Sequence, residues 1–137
     1  LKQRLTSTML QQVEFRMPYK KQDYFAALKA ADIVLETFPF GGGNTVLQSF
    51  AAGTPIMTFK GPHIKSRFGS GFYEWINEPR FTASTIEDYI EKAIKYAYDP
   101  LIKSEFKEVI KKNKDRLYEN MSGVEETYAW FNEKLLS

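Results

Sequence analysis

Ile33-Val34-Leu35-Glu36-Thr37-Phe38-Pro39-Phe40-Gly41-Gly42-Gly43-Asn44-Thr45, carried on through Ala52-Gly53-Thr54-Pro55-Ile56-Met57-Thr58-Phe59-Lys60-Gly61, is the stretch that decides the fold. Ile33 to Phe38 opens as a nearly continuous apolar run, the pattern of a strand buried in a parallel sheet. Gly41, Gly42 and Gly43 interrupt it. Asn44 is a favourable N-cap, and Thr45 to Ala52 carries the next helix. Gly53 suits the stop of that helix, and Thr54-Pro55 leads into a strand over Ile56 to Phe59. Glycines between a strand and a helix let the backbone approach a ligand. The helix start behind them offers unpaired N–H groups and the positive end of a dipole. An anion bound there would lie at the carboxyl ends of the strands, where open parallel sheets bind ligands. A tight turn with an asparagine cap and no ligand accounts for the glycines equally well. They form neither a Walker loop nor a complete dinucleotide fingerprint.

Outward from this stretch the alternation continues. Val13, Phe15 and Met17 alternate with Glu14 and Arg16, which predicts a strand ended by Pro18. Leu1 to Leu10 is read as a short helix, and Asp23 to Ala31 as a helix with Tyr24, Phe25, Leu28 and Ala31 on one side. Lys60-Gly61-Pro62 makes a turn, Ser66 to Ile76 a helix despite Gly69 and Gly71, and Phe81 a last short strand. Behind Ser84 and Glu87, at capping-box spacing, Ile86, Tyr89, Ile90, Ala93, Ile94 and Ala97 repeat as the apolar face of a helix. Asp99-Pro100 starts the next, with Ile102, Phe106, Val109 and Ile110 as its buried side. Ser122 and Glu125 make a second capping box ahead of Val124, Tyr128, Phe131 and Leu135. Lys103, Lys107, Lys111, Lys112 and Lys114 are interleaved with Glu105, Glu108 and Asp115, which reads as a solvated face. The expected fold class is α/β: a partial Rossmann-like three-layer domain with a small parallel sheet and a helical C-terminal tail. It is read as a single domain over 1–137, with a β/α part at 1–83 and the helical tail at 84–137.

Composition sets the outer limits. At 137 residues, 43% hydrophobic and 15% aromatic, the chain is one domain's worth of sequence with enough apolar surface for a core. Nineteen basic against seventeen acidic residues give a net charge of +2, which makes no case for nucleic acid or a membrane surface. No cysteine is present, so disulfides and thiolate metal sites are excluded, and no other metal-ligand spacing is found. The apolar runs are too short to span a bilayer and no signal peptide is visible, so a cytoplasmic location is expected. The chain opens at Leu1, and an upstream portion is expected.

Several side chains are candidates for the same rim. Asn44 and Thr45 can add donors to a phosphate, and Gln48 lies one turn further along the helix. Lys60 follows the next strand and can neutralise a diphosphate; without the loop beside it, it would be an ordinary solvated lysine. Tyr24 can stack on a base, although an aromatic at helical spacing is more often core, and Lys21 can reach the rim. Arg67 can meet phosphate or cap a helix end, and His63 is read as a surface residue of a turn. Glu36 sits where a catalytic acid could, but fixing the loop that follows is at least as natural a role.

From about Tyr19 to Arg67, and most sharply over Ala30-Ala31-Asp32 followed by the stretch quoted first and by Ser66-Arg67, the sequence resembles the O-linked N-acetylglucosamine transferases. It also resembles their bacterial relatives, the cytoplasmic N-glycosyltransferases that modify adhesins. The resemblance implies a GT-B enzyme with two Rossmann-like halves, of which this chain would be the C-terminal, donor-binding part. By position, Gly41, Gly42, Gly43, Asn44 and Thr45 would form the donor-binding loop, with Gly43, Asn44 and Thr45 meeting the diphosphate at the helix start. Gln48 would approach the ribose, Lys60 the diphosphate and Tyr24 the uracil. The donor would be a UDP-sugar, with no cofactor and no metal, because protein donors can stabilise the leaving diphosphate. The partners implied are the donor, the N-terminal half of the same protein, and a protein or glycan acceptor. Nothing implies nucleic acid or a membrane. Three departures stand. Gly43-Asn44-Thr45 replaces the His-Thr-Thr usual in the O-linked enzymes, Gln48 replaces a usual acid, and the first strands of the half are absent. A nucleotide-binding module without catalysis and a structural domain that inherited the fold are the rival readings. The open edge of a strand at Val13 to Met17 leads to the expectation of a homodimer caused by truncation, or of an edge covered by Leu1 to Leu10.

Overall fold

The computed structural model describes residues 5–16 and 20–136, except for the side chains of Lys21 and Leu136. Its helices are α1 (Ser7–Leu10), α2 (Lys21–Ala30), α3 (Asn44–Ala52), α4 (Phe68–Trp75), α5 (Ile86–Ala97), α6 (Ile102–Tyr118) and α7 (Ser122–Leu136). Its strands are β1 (Val34–Leu35), β2 (Ile56–Phe59) and β3 (Thr82–Ala83). The strands form one parallel sheet in the order β1-β2-β3, with Val34 opposite Ile56 and Thr58 opposite Thr82. Parallel neighbours need crossovers, and α3 and α4 supply them. The expected α/β fold, with its small parallel sheet and helical tail, is the fold observed.

The core follows from the apolar positions. Phe50 of α3, Tyr73 of α4, Phe81 ahead of β3 and Phe106 of α6 are buried, and their rings meet at centroid distances from 4.8 Å to 6.0 Å. Burying a side chain of this size stabilises the fold by roughly 1.5–3 kcal/mol. Polar groups inside this core are satisfied. Thr54 donates its hydroxyl to the Leu28 carbonyl at 2.7 Å, and Ser49 donates to the Thr54 carbonyl at 2.7 Å, which ties α2 to the α3–β2 junction. Lys103 is not part of a free lysine face: its ammonium donates to the Lys29 and Ala31 carbonyls at 2.6 Å and 2.7 Å, capping the end of α2.

Several local expectations shift. Val13 to Arg16 form no strand, and Met17 and Pro18 lie outside the described residues. Val13 to Arg16 are not among the strands of the sheet, and the Arg16 guanidinium donates to the Glu14 carboxylate at 2.6 Å. Among the described residues the edge strands of the sheet are β1 and β3. Of the Leu1 to Leu10 helix, only Ser7–Leu10 is helical among the described residues, capped by the Thr6 hydroxyl; residues 1–4 lie outside them. Gly43, not Asn44, is the N-cap of α3, while Gly53 ends it in the left-handed conformation at φ 72°. The capping box of α5 sits one residue later than Ser84 and Glu87. The Thr85 hydroxyl accepts the Asp88 N–H at 3.1 Å, and the Asp88 carboxylate accepts the Ser84 N–H at 3.2 Å. Ser122 is the first residue of α7, and its N–H is taken by the Asn120 side chain at 2.8 Å. In α5 the buried positions are Tyr89 and Tyr96, while Ile86, Ile90 and Ile94 are exposed. Val124, Tyr128, Phe131 and Leu135 of α7 are exposed as well.

Candidate functional site

β1 and β2 run parallel, so the glycine loop after β1 and Lys60 after β2 emerge at the same end of the sheet. The loop is held from below. The Gly42 N–H donates to the Glu36 carboxylate at 2.9 Å, and the Gly41 N–H donates to the Lys65 carbonyl at 2.8 Å. The Thr37 hydroxyl donates to the Phe40 carbonyl at 3.0 Å. The three glycines are required for different reasons. A Cβ on Gly41 would lie 2.7 Å from a Glu36 carboxylate oxygen, and one on Gly42 would lie 1.9 Å from the Thr45 hydroxyl. A Cβ on Gly43 would meet nothing within 4 Å. Packing against the protein explains the first two, and only Gly43 faces open space. Among the described residues, the N–H groups of Gly43, Asn44 and Thr45 at the start of α3 have no hydrogen-bond partner. They are the loop's available anion donors.

Beside the loop lies a cleft of about 410 Å³, lined by Tyr24, Glu36, Phe40, Gly41, Gly42 and Thr45 among others. Of the residues expected at the site, the cleft thus brings together Tyr24, Gly41, Gly42 and Thr45. Gly43 and Asn44 sit at the helix start, half-buried and exposed respectively, and Gln48 is half-buried one turn on; none of these three lines the cleft. Lys60 lies outside it too, and its ammonium is paired with the Glu74 carboxylate of α4. Arg67 donates to the Gly61 carbonyl at 2.8 Å, and His63 is exposed in its turn. The Lys21 side chain is outside the described residues. Among the described residues no group of three or more metal-ligating side chains could hold an ion, and no helix is long and apolar enough to cross a membrane.

Glu36 is the charged group at the floor of this cleft and is only 7% exposed. Burial pushes its carboxyl up to about 7, against the pull of N–H groups from Gly42 and Phe59. The Tyr89 hydroxyl of α5 donates to the Glu36 carbonyl at 2.9 Å, and burial together with the Glu36 charge pushes that phenol up to about 12. Sequence reasoning weighed Glu36 but had no way to see Tyr89, which reaches the loop across fifty-three residues. Phe40 was missed as a wall of the cleft; its place between Pro39 and the glycines was the only signal.

Open parallel α/β sheets bind ligands in the crevice at the carboxyl ends of their strands, where the glycine loop and the cleft lie. The fold is that of an O-linked N-acetylglucosamine transferase. A lysine-to-methionine variant of the O-GlcNAc transferase of Thermobaculum terrenum superposes with a TM-score of 0.70 over 74% of this chain, at 24% identity. Over 77 residues, 56% of its length, the chain is 30% identical to proteins of Solanum lycopersicum and Petunia hybrida, each named probable UDP-N-acetylglucosamine–peptide N-acetylglucosaminyltransferase SPINDLY. The match to the SPINDLY protein of Hordeum vulgare is the same. The chain spans 8% of the length of these relatives and 20% of the solved chain. No family model matches it. The similarity is to a part of these glycosyltransferases.

Proposed function

We propose that this chain is the donor-binding part of a GT-B glycosyltransferase and takes the diphosphate of a UDP-sugar at the start of α3. One observation carries the reading: the N–H groups of Gly43, Asn44 and Thr45 are without partners at a helix start that opens beside the cleft. Three backbone donors and a helix dipole favour a diphosphate and need no metal. Tyr24 lines the same cleft, where its ring can lie against a base. Gln48, one turn into α3, can accept from a ribose hydroxyl as a neutral group. Lys60 must exchange Glu74 for the phosphate. Their pair is exposed, so breaking it costs little, about 0–1 kcal/mol. Transfer to a protein or glycan acceptor would need the rest of the protein, since one cleft wall at the strand ends holds a donor but no acceptor. A UDP titration of the native protein carrying this chain, by calorimetry, tests the reading. Lys60→Ala is expected to weaken UDP by roughly 1.5–3 kcal/mol, the value of a hydrogen bond to a charged group. Unchanged affinity in a folded variant removes Lys60 from the site, and no UDP binding by the native protein removes the site.

A further inference from the structure

The Glu36 carboxylate lies against two glycines, at each of which a Cβ would crowd it. Gly41, in the loop, has space for no Cβ because the Glu36 oxygen would lie 2.7 Å away. Gly69, in the first turn of α4, is closed off in the same way, with the Glu36 oxygens 3.0 Å and 3.1 Å from where its Cβ would be and Thr58 nearer still. The carboxylate takes the Gly42 N–H at 2.9 Å from above and a Phe59 N–H from β2. Among the described residues no basic side chain is paired with this buried carboxylate, so peptide N–H groups carry its stabilisation.

We propose that Glu36 is a positioning residue: by holding the Gly42 N–H beneath the loop it fixes the turn that leaves the Gly43, Asn44 and Thr45 donors facing a bound diphosphate, and its grip follows its own ionisation. The proposal rests on the reading of that helix start as the UDP site. The chemistry is direct. Gly42 donates downward, so the chain reverses at Gly42-Gly43, and the next three peptide N–H groups are left for a ligand. An ionised acceptor holds an N–H about twice as strongly as a neutral one, so protonation loosens the turn without removing it. The titratable groups facing Glu36 are Tyr73 from α4 and Tyr89 from α5, both coupled to its charge. Burial holds Tyr73 well above its ordinary range and pushes Tyr89 up to about 12, so neither ionises near neutral pH. β2, the glycine loop and α3 carry no titratable side chain. On and beside α4, Arg67 donates to the Gly61 carbonyl and Glu74 is paired with Lys60.

The test uses the native protein with nitrogen-15 glycine, followed by NMR from pH 5 to 9 without nucleotide, and UDP calorimetry on the same samples. In the wild type the Gly42 amide should titrate with Glu36 and be protected from exchange. Glu36→Gln, which keeps an acceptor and cannot ionise, should keep the protection, abolish the titration and bind UDP within about threefold of the wild type. Glu36→Ala should lose the protection and weaken UDP by about tenfold or more, as when a buried donor is orphaned. A wild-type Gly42 amide that does not move over this range overturns the proposal even if the alanine variant fails to fold. So does a folded alanine variant with unchanged Gly42 protection and UDP affinity. If the wild type binds no UDP, the site reading falls, and with it the ligand half of this proposal; the Gly42 titration still decides the loop half.

Discussion

Glu36 carries a consequence for stability as well as for the loop. Its carboxyl is pushed up to about 7 in the folded chain against an ordinary 4.5, because burial disfavours its charge. The folded state therefore binds the proton more tightly than the unfolded state. The stability tied to this proton is fully present below about pH 4.5 and is lost as pH rises through about 7. Glutamine is neutral throughout and escapes that loss. Glu36→Gln should match the wild type near pH 4.5 and exceed it above pH 7.5, by at most about 3 kcal/mol at about 1.4 kcal/mol per unit of pKa difference. Urea denaturation at a series of pH values measures this, and a constant difference between the two proteins would contradict it. At this scale the sequence was half legible. The glycines, Asn44 and Thr45 announced a loop that could meet an anion, because such loops are written in consecutive residues. That Gly41 and Gly42 serve Glu36 and Thr45, while Gly43 alone opens outward, depends on side chains folding back beneath the turn.

Among the elements, β2 shows how a short strand is made secure. Its Thr58 and Phe59 pair with β3, but β3 begins too late to reach Ile56. The Tyr73 hydroxyl of α4 fills the gap, accepting the Ile56 N–H at 2.9 Å and donating to the Ile56 carbonyl at 2.8 Å. Both groups are buried with it. Tyr73→Phe keeps the ring in the aromatic cluster and orphans both peptide groups, so the expected loss is about 2–6 kcal/mol, from about 1–3 kcal/mol for each unpaired group. Chemical denaturation reads it, and a loss under about 0.5 kcal/mol would mean that water takes the place of the hydroxyl. Elements set by local chemistry were legible: α3 begins behind the glycines and stops at Gly53, and the buried side of α6 is Ile102, Phe106 and Ile110. Elements set by neighbours were not. The alternation of Val13 and Phe15 is a strand pattern, yet Val13 to Arg16 form no strand. The face that α5 buries was decided by the tyrosines that reach the sheet, not by the isoleucines that matched the helical period equally well.

Among the described residues, an exposed apolar surface runs up to the edge strand β1. Ile86, Ile90 and Ile94 form a row at i, i+4 and i+8 along α5, each 51% to 57% exposed. Leu35 of the edge strand β1 is 56% exposed, and it faces Ala93, Ile94 and Tyr98 across a groove of about 400 Å³. An exposed apolar row beside an edge strand is a surface on which another polypeptide gains both hydrophobic burial and backbone hydrogen bonds. The association anticipated at Val13 to Met17 therefore moves to β1 and α5. The 137-residue chain on its own is expected to self-associate as its concentration rises, and sedimentation measures this. Two lysines in place of Ile90 and Ile94 should return it to the monomer with little loss of stability, because both side chains are already largely in water. The same pair of changes placed on α7, at Tyr128 and Phe131, leaves the β1 edge and its groove intact and should reduce association less. A chain that stays monomeric at high concentration, or one whose association ignores the α5 lysines and disappears with those on α7, would show that this face is not the sticky one.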